Sequence, residues 1–266
     1  MKNAILAQLP PYFPWADRLH WYDTIGSTND EAKCRASEGA PHGTVLIAGH
    51  QTGGRGRLGR SFQSPAGKGV YMSVILRPEC LPQQLMHLTC ATAVAMCDAV
   101  ENAAGIRPGI KWTNDLVFQR RKLGGILTEL SVAQDTGLVR YAIIGIGINC
   151  TQAPGDFAPE IRDMATSLSA SAGETVSPHR LAAAMVSALH QMDAALMADR
   201  AATLTRYRAD CVTLGQEILL VRGEEKQFGT ALDIDEEGGL IVRFRDGNIR
   251  TVTSGEVSVR GMYGYL

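Results

Sequence analysis

The chain has 266 residues, with 26 Lys and Arg set against 27 Asp and Glu, for a net charge of -1. That balance excludes bulk electrostatic attraction to nucleic acid or to an anionic membrane, so any anion site has to be local. With 45% hydrophobic and 20% charged residues, the composition is that of an ordinary globular protein, long enough for one large domain and a small one.

Residues 1–20 contain Pro10, Pro11 and Pro14 and read as an arm without periodicity. The apolar stretch from Ala4 to Leu9 is too short for the core of a signal peptide, and no run is long and apolar enough to span a bilayer. The cysteines (Cys34, Cys80, Cys90, Cys97, Cys150 and Cys211) form no C-x-x-C and no zinc spacing. Free thiols point to a reducing, cytoplasmic compartment, and Cys90 and Cys97 read as packing residues of an apolar helix.

Thr28 followed by Glu31 has capping-box spacing and predicts a helix from there to about Ser37. The pair is either a simple cap or a helix N-terminus offering hydroxyl and amide groups to a polar ligand. Strands are expected at Thr44–Ala48 and Val70–Leu76. Between them, the stretch from Gly53 to Arg60 holds four glycines and three arginines. Glycine lets backbone amides approach a ligand, and arginine presents a permanently charged fork to carboxylate or phosphate oxygens. Such a run can also be a solvated flexible loop, but placed between two buried strands it reads as a binding loop on a rigid scaffold. It is not a Walker loop, because no Lys-Ser or Lys-Thr follows, and not a dinucleotide fingerprint, because a strand rather than a helix comes next.

Leu85–Ala104 is apolar at helical spacing and ends at Gly105, a natural cap. Ile110–Phe118 reads as one strand, Gln119–Arg121 as a turn, and Lys122–Ser131 as the returning strand. Lys111, Asn114, Asp115 and Lys122 are polar groups embedded in this apolar hairpin. They are either functional or, since alternation puts residues 111, 113 and 115 on one side, a solvated face. Val139–Asn149 is an apolar strand whose Gly145 and Gly147 suggest close approach of a ligand or another backbone, or a bulge. Residues 150–177 read as a long loop, followed by packing helices from Pro178 to about Arg200 and from Thr203 to Cys211. From about Thr213, short strands at 218–221, 228–232, 240–244, 249–253 and 257–259, with the turn signal Asp246-Gly247, suggest a small barrel.

Read in order, Ser27-Thr28-Asn29, the Gly53–Arg60 run, Lys111-Trp112-Thr113-Asn114-Asp115, Arg121–Leu127 and Gly145-Ile146-Gly147-Ile148-Asn149, with the tail Ser254–Arg260, closely resemble the biotin–protein ligases over nearly the whole chain from Thr24. The resemblance implies an α+β fold: a mixed-sheet catalytic domain of the biotin/lipoate ligase type, expected over 1–212, and a small SH3-like barrel over 213–266. It implies ATP-dependent conversion of biotin to biotinyl-5′-AMP and transfer of biotin to a lysine of a biotin carboxyl carrier domain. In the family, the matches to Ser27, Thr28, Asn29 and Gln51 line the biotin pocket, and those to Arg55, Gly56 and Arg57 form a loop that orders over biotin and the adenylate. The match to Lys122 contacts the biotin carboxylate and the phosphate. The expected biotin set also includes Gly54, Gly125, Gly145 and Gly147. The expected ATP set is Arg57, Arg60, Phe62, Lys111, Asn114 and Asn149, and Lys122, Arg57 and Asp115 are the expected catalytic groups.

No acidic cluster stands out as a metal cage, so no metal ligand is expected and Mg²⁺ is expected to arrive largely on the nucleotide. Thr113 stands where the family usually has proline, expected to alter only strand stiffness. Phe62 stands where it usually has tryptophan, expected to weaken packing on the nucleotide. The first motif begins near residue 24, so a ligase without the DNA-binding domain of long members is expected, either monomeric or dimeric, as both occur in the family. A lipoate–protein ligase is the nearest alternative. A nucleic-acid module using the Gly/Arg run would want a basic chain, and an inactive scaffold would not need Arg55, Arg57 and Lys122.

Overall fold

A computed structural model describes the backbone of residues 1–253 and 258–261, and side chains through residue 253. The elements in order are α1 (Lys2–Leu6), β1 (Leu19–Tyr22), α2 (Thr28–Ser37), β2 (Thr44–Ala48), β3 (Gly69–Leu76), α3 (Leu88–Ala104), β4 (Gly109–Lys111), β5 (Asp115–Phe118), β6 (Arg121–Val132), β7 (Val139–Asn149), α4 (Leu168–Ala172), α5 (Pro178–Ala195), α6 (Arg200–Asp210), β8 (Glu217–Arg222), β9 (Glu225–Ile234), β10 (Leu240–Phe244), β11 (Ile249–Val252) and β12 (Ser258–Gly261).

The first seven strands form one mixed sheet in the order β1-β2-β3-β7-β6-β5-β4. β1 runs parallel to β2, and the other neighbours are antiparallel. Every residue of β2 and β3 is buried, because helices cover both faces. Alternation sorts the contacts: Leu46, Ile75 and Ile143 pack against Ala32 and Ala36 of α2, while Val45, Ile47, Val74 and Leu76 join the large core with α3 and α5. The buried alanines of α2 present little bulk to the sheet.

The helix at 28–37 is as expected, but its cap is Ser27, which accepts from the Asp30 amide at 3.4 Å, rather than Thr28. Gly105 ends α3 at φ 68, the left-handed cap that glycine makes without strain. Residues 1–20 are not a loose arm. Ile5, Leu9, Phe13, Trp15 and Leu19 are buried in the main core, and Phe13 and Trp15 meet the His190 ring of α5 edge-on at 5.2 and 5.1 Å. Their irregular spacing hides them from a periodicity reading, yet large side chains bury area from any backbone geometry.

The stretch 110–118 is two strands. β4 and β5 pair with Lys111 opposite Asp115, and Trp112-Thr113-Asn114 turns between them, the Trp112–Thr113 peptide being cis. Thr113 therefore sits in a turn, not in a strand whose stiffness it could alter. Lys111 is 7% exposed, which overturns the solvated-face alternative. The next turn is tight: Gln119 and Arg120 take φ 47 and 64, and Arg121 already pairs with Phe118 in β6. The loop at 150–177 contains α4, capped by Ser167.

The C-terminal strands form a second antiparallel sheet, in the order β11-β10-β9-β8-β12, with Gly247 at φ 83 in the expected Asp246-Gly247 hairpin turn. Its Ile218, Ala231, Ile234, Leu240 and Val242 belong to the same apolar core as the large sheet. Residues 254–257 of the tail motif lie outside the described residues.

Candidate active site

Four stretches far apart in sequence converge on a cleft of about 500 Å³. α2 offers Ser27, Thr28 and Asn29; the Gly/Arg loop closes over the opening with Arg55, Gly56, Arg57, Arg60 and Phe62; the β4–β6 segment contributes Lys111, Trp112, Asn114, Asp115, Lys122 and Gly125; and β7 forms the floor at Gly145 and Gly147. The order β3-β7-β6-β5-β4 explains the convergence, since it sets the glycine-bearing strand beside the strand that carries Lys122.

At the α2 end the groups are neutral and bonded to one another. Gln51 Oε1 accepts from the Thr28 amide at 2.8 Å and from its hydroxyl at 3.0 Å, while Gln51 Nε2 donates to Ser64 Oγ at 3.0 Å. Buried Ser73 Oγ lies 2.6 Å from Asn29 Oδ1 and 2.8 Å from Thr28 Oγ1. Asn29 Nδ2 donates to Glu129 at 3.0 Å. The floor glycines leave room for side chains of the chain itself: a Cβ on Gly145 would overlap the Asn29 amide, and one on Gly147 would collide with the Phe62 ring.

The other end is charged. Lys122 Nζ and Asp115 Oδ1 form an ion pair at 2.6 Å. The register of the β5–β6 ladder shifts between Leu116 and Val117, next to this contact. Arg57 Nη1 donates to Asn114 Oδ1 at 2.9 Å, and Asn114 is tied to Ile126 through Nδ2 and its own carbonyl. Burial pushes the Arg57 guanidinium below its ordinary pKa and the charge of Arg60 adds to this, while Asp115 and Tyr207 oppose it. Arg57 stays cationic, since arginine does not deprotonate in proteins. Arg55 points elsewhere, pairing with Asp30 at 2.5 Å and with Glu129 at 3.4 Å.

This cleft belongs to a chain with many relatives. Residues 21–149 match the Biotin/lipoate A/B protein ligase family, and residues 213–260 match the Biotin protein ligase C terminal domain. The chain is 36% identical over 242 residues to the bifunctional ligase/repressor BirA of Bacillus subtilis, covering 91% of this chain and 74% of that one. The chain belongs to the biotin protein ligase family. The biotin–[acetyl-CoA-carboxylase] ligase of Mycobacterium tuberculosis is 34% identical over 241 residues, covering 87% of this chain and 85% of that one. Among solved structures, the biotin protein ligase of Aquifex aeolicus in complex with biotin and ATP superposes with a TM-score of 0.77 at 30% identity, covering 91% and 98% of the two chains.

Of the residues expected in a ligase site, Gly54 and Asn149 lie outside the cleft lining. Gly54 is packed under the loop, where a Cβ would strike the Phe62 carbonyl and Ser64. Asn149 is buried beside the cleft with its amide committed to Thr166 O and Gln152 Nε2, each at 3.0 Å. The sequence reading missed Glu129, Ser64 and Ser73, each of which fixes a lining residue. A charged residue in an otherwise apolar strand was the available signal for Glu129, the same one that singled out Lys122. It also missed Tyr207, and gave Trp112 only as a member of the motif at 111–115; the two pin the 112–114 turn: Tyr207 OH donates to Thr113 O at 3.1 Å, and Trp112 Nε1 donates to Gly238 O in the β9–β10 turn at 3.0 Å.

Proposed function

We propose that the chain converts biotin and ATP to biotinyl-5′-AMP, with release of pyrophosphate, and transfers the biotin to one lysine of a biotin carboxyl carrier domain, as a biotin–[acetyl-CoA-carboxylase] ligase. The observation that carries this is the pairing, in one cleft of a member of this family, of a neutral hydrogen-bonded pocket with a cluster of Arg57, Arg60, Lys111 and Lys122. The neutral end suits the uncharged body of biotin, and the cations suit the two anions that have to react.

A carboxylate attacking the α-phosphate of ATP must overcome like-charge repulsion. One positive charge ~4 Å from an anion is worth about 4 kcal/mol at an effective dielectric near 20. Lys122 and Arg57 supply such charges across the line of attack and hold the reacting atoms in place. Arg60 and Phe62 flank the nucleotide, and Lys111 and Asn114 hold its phosphate side. Mg²⁺ on the nucleotide would neutralise the pyrophosphate leaving group; Asp115, the carboxylate of the described lining, is engaged with Lys122.

Transfer requires a neutral acceptor amine. With an ordinary lysine pKa near 10.4, deprotonation at pH 7 costs roughly 4.6 kcal/mol. Asp115 orients the incoming amine and accepts its proton once bound anions draw Lys122 away from it. The Gly/Arg loop excludes water from the mixed anhydride until the carrier arrives. In this reading residues 1–212 carry the chemistry, residues 213–266 brace it, and the protein works in the cytoplasm, where its carboxylase partner would be.

The test is ATP–pyrophosphate exchange with the purified chain. Incorporation dependent on biotin, with none on lipoate, is the expected result. Incorporation with lipoate alone would keep the fold and overturn the substrate.

A further inference from the structure

We propose that Glu129 is a positioning residue that latches the Gly/Arg loop to the biotin end of the cleft. This goes beyond the residues that touch substrate, and it rests on the reading of the cleft given above.

Glu129 sits on β6 behind the lining residues and gathers donors from two other elements. Its Oε1 accepts from Lys33 Nζ at 2.6 Å and from Arg55 Nη2 at 3.4 Å, and its Oε2 accepts from Asn29 Nδ2 at 3.0 Å. Lys33 and Asn29 belong to α2, and Arg55 belongs to the loop. The carboxylate therefore sets the Asn29 amide in the pocket wall and the loop above it at the same time. Asn29 cannot turn over without losing Glu129 at one end and Ser73 at the other.

Elsewhere the loop is held by Arg57 on Asn114 and by the Phe62 ring against Gly147; on this side the loop is linked through Arg55. Between it and β6 lies a second cavity of about 300 Å³, reached by Arg55, Leu58, Thr89 and Glu129, and Leu58 is 54% exposed. The Arg55 strut to Asp30 and Glu129 spans this side. The chemistry demands a carboxylate. All three partners are donors, and an ionised carboxylate is acceptor-only with two oxygens to offer. A glutamine would turn an N–H₂ toward one partner set, releasing either the loop or Asn29.

The test compares wild type with Glu129→Gln and Glu129→Asp. Amide hydrogen exchange of residues 53–60 in the ligand-free protein is expected to rise by about tenfold in Glu129→Gln, the equivalent of one charge-assisted hydrogen bond. The strands of the large sheet are expected to keep their protection, and Glu129→Asp to restore part of the loss. In the pyrophosphate assay the KM for biotin is expected to rise by about the same factor, with the KM for ATP and kcat within about twofold. Unchanged exchange at 53–60, or a rise spread evenly over the sheet, would overturn the latch. If wild type shows no biotin-dependent incorporation, the functional reading fails, while the hydrogen-exchange comparison still decides the role of Glu129.

Discussion

At the α2 end of the cleft the polar groups are neutral and already bonded to one another, whereas at the Lys111–Lys122 end four cations face one lining carboxylate. Gln51, Ser64, Ser73 and Thr28 are hydrogen-bonded to one another, so on the reading proposed above that end is shaped before a ligand arrives. The charged end differs in kind: it gathers Arg57, Arg60, Lys111 and Lys122 around Asp115, a set suited, on the reading proposed above, to entering anions. Arg55 and Arg57 show the division inside a single loop: the first is spent on Asp30 and Glu129 as a strut, the second reaches Asn114 beside the Lys122–Asp115 pair. A run of alternating glycine and arginine therefore holds two kinds of arginine, and only the surrounding fold separates them.

The sharpest way to break this comparison is to remove charge from the cationic end. Lys122→Ala is expected to lower biotin-dependent pyrophosphate incorporation by about a hundredfold or more, the size of effect seen when one donor to a developing charge is lost. A rate within about threefold of wild type would show that the cluster is not where charge develops. Asp115→Asn separates the two half-reactions. Adenylate formation is expected to continue within a few fold, whereas transfer to a carrier lysine is expected to slow by roughly a hundredfold, the contribution of a positioned base. Single-turnover transfer from preformed adenylate checks this, and equal slowing of both steps would reassign Asp115 to holding Lys122.

At the neutral end the expected cost is steric. Gly145→Ala places a methyl into the Asn29 amide, and overpacking of this kind costs roughly 1–3 kcal/mol. Urea denaturation is expected to show that loss, together with weaker biotin binding and an ATP affinity close to wild type. If biotin binding survives intact, Asn29 has somewhere else to go and the wall is less rigid than its hydrogen bonds imply.

Much of this was legible in the sequence, for local reasons. The span of α2, the strands at 44–48 and 139–149, and the Gly105 cap follow from apolar period and cap chemistry, signals that act over a few residues. Gly145, Gly147, Lys111, Asn114, Asp115 and Lys122 stood out because glycine and buried charge are costly in strands, whereas Ser27, Thr28, Asn29 and Gln51 were expected in the biotin pocket only through the family resemblance. Three features were not legible, and each depends on tertiary contact. Phe13 and Trp15 are buried by α5, some 175 residues away in the chain. The break at residues 112–114 is held by Tyr207 and Gly238, and its apolar flanks read as one continuous strand. The Lys122–Asp115 pair joins two strands whose register shifts between Leu116 and Val117, and alternation does not anticipate such a shift.

The smallest effect expected is also the most direct probe of the contact that joins the loop to the pocket wall. Burial alone would raise the Glu129 carboxyl pKa, but the Lys33 ammonium, the Asn29 amide and the Arg55 guanidinium outweigh it and hold the group below its ordinary value of 4.5. Asp30 shares the Arg55 guanidinium with Glu129. Because the folded carboxyl binds its proton less readily than the unfolded one, the stability it contributes is fully present above about pH 4.5. It is lost as pH falls through the lowered folded value. Glu129→Gln has no such proton to take up. The difference in unfolding free energy between wild type and this variant is therefore expected to be flat near neutral pH and to shrink on acidification below that point. A difference that stays constant into acid would mean that Glu129 acts by shape alone, and the charged strut between loop and pocket would have to be abandoned.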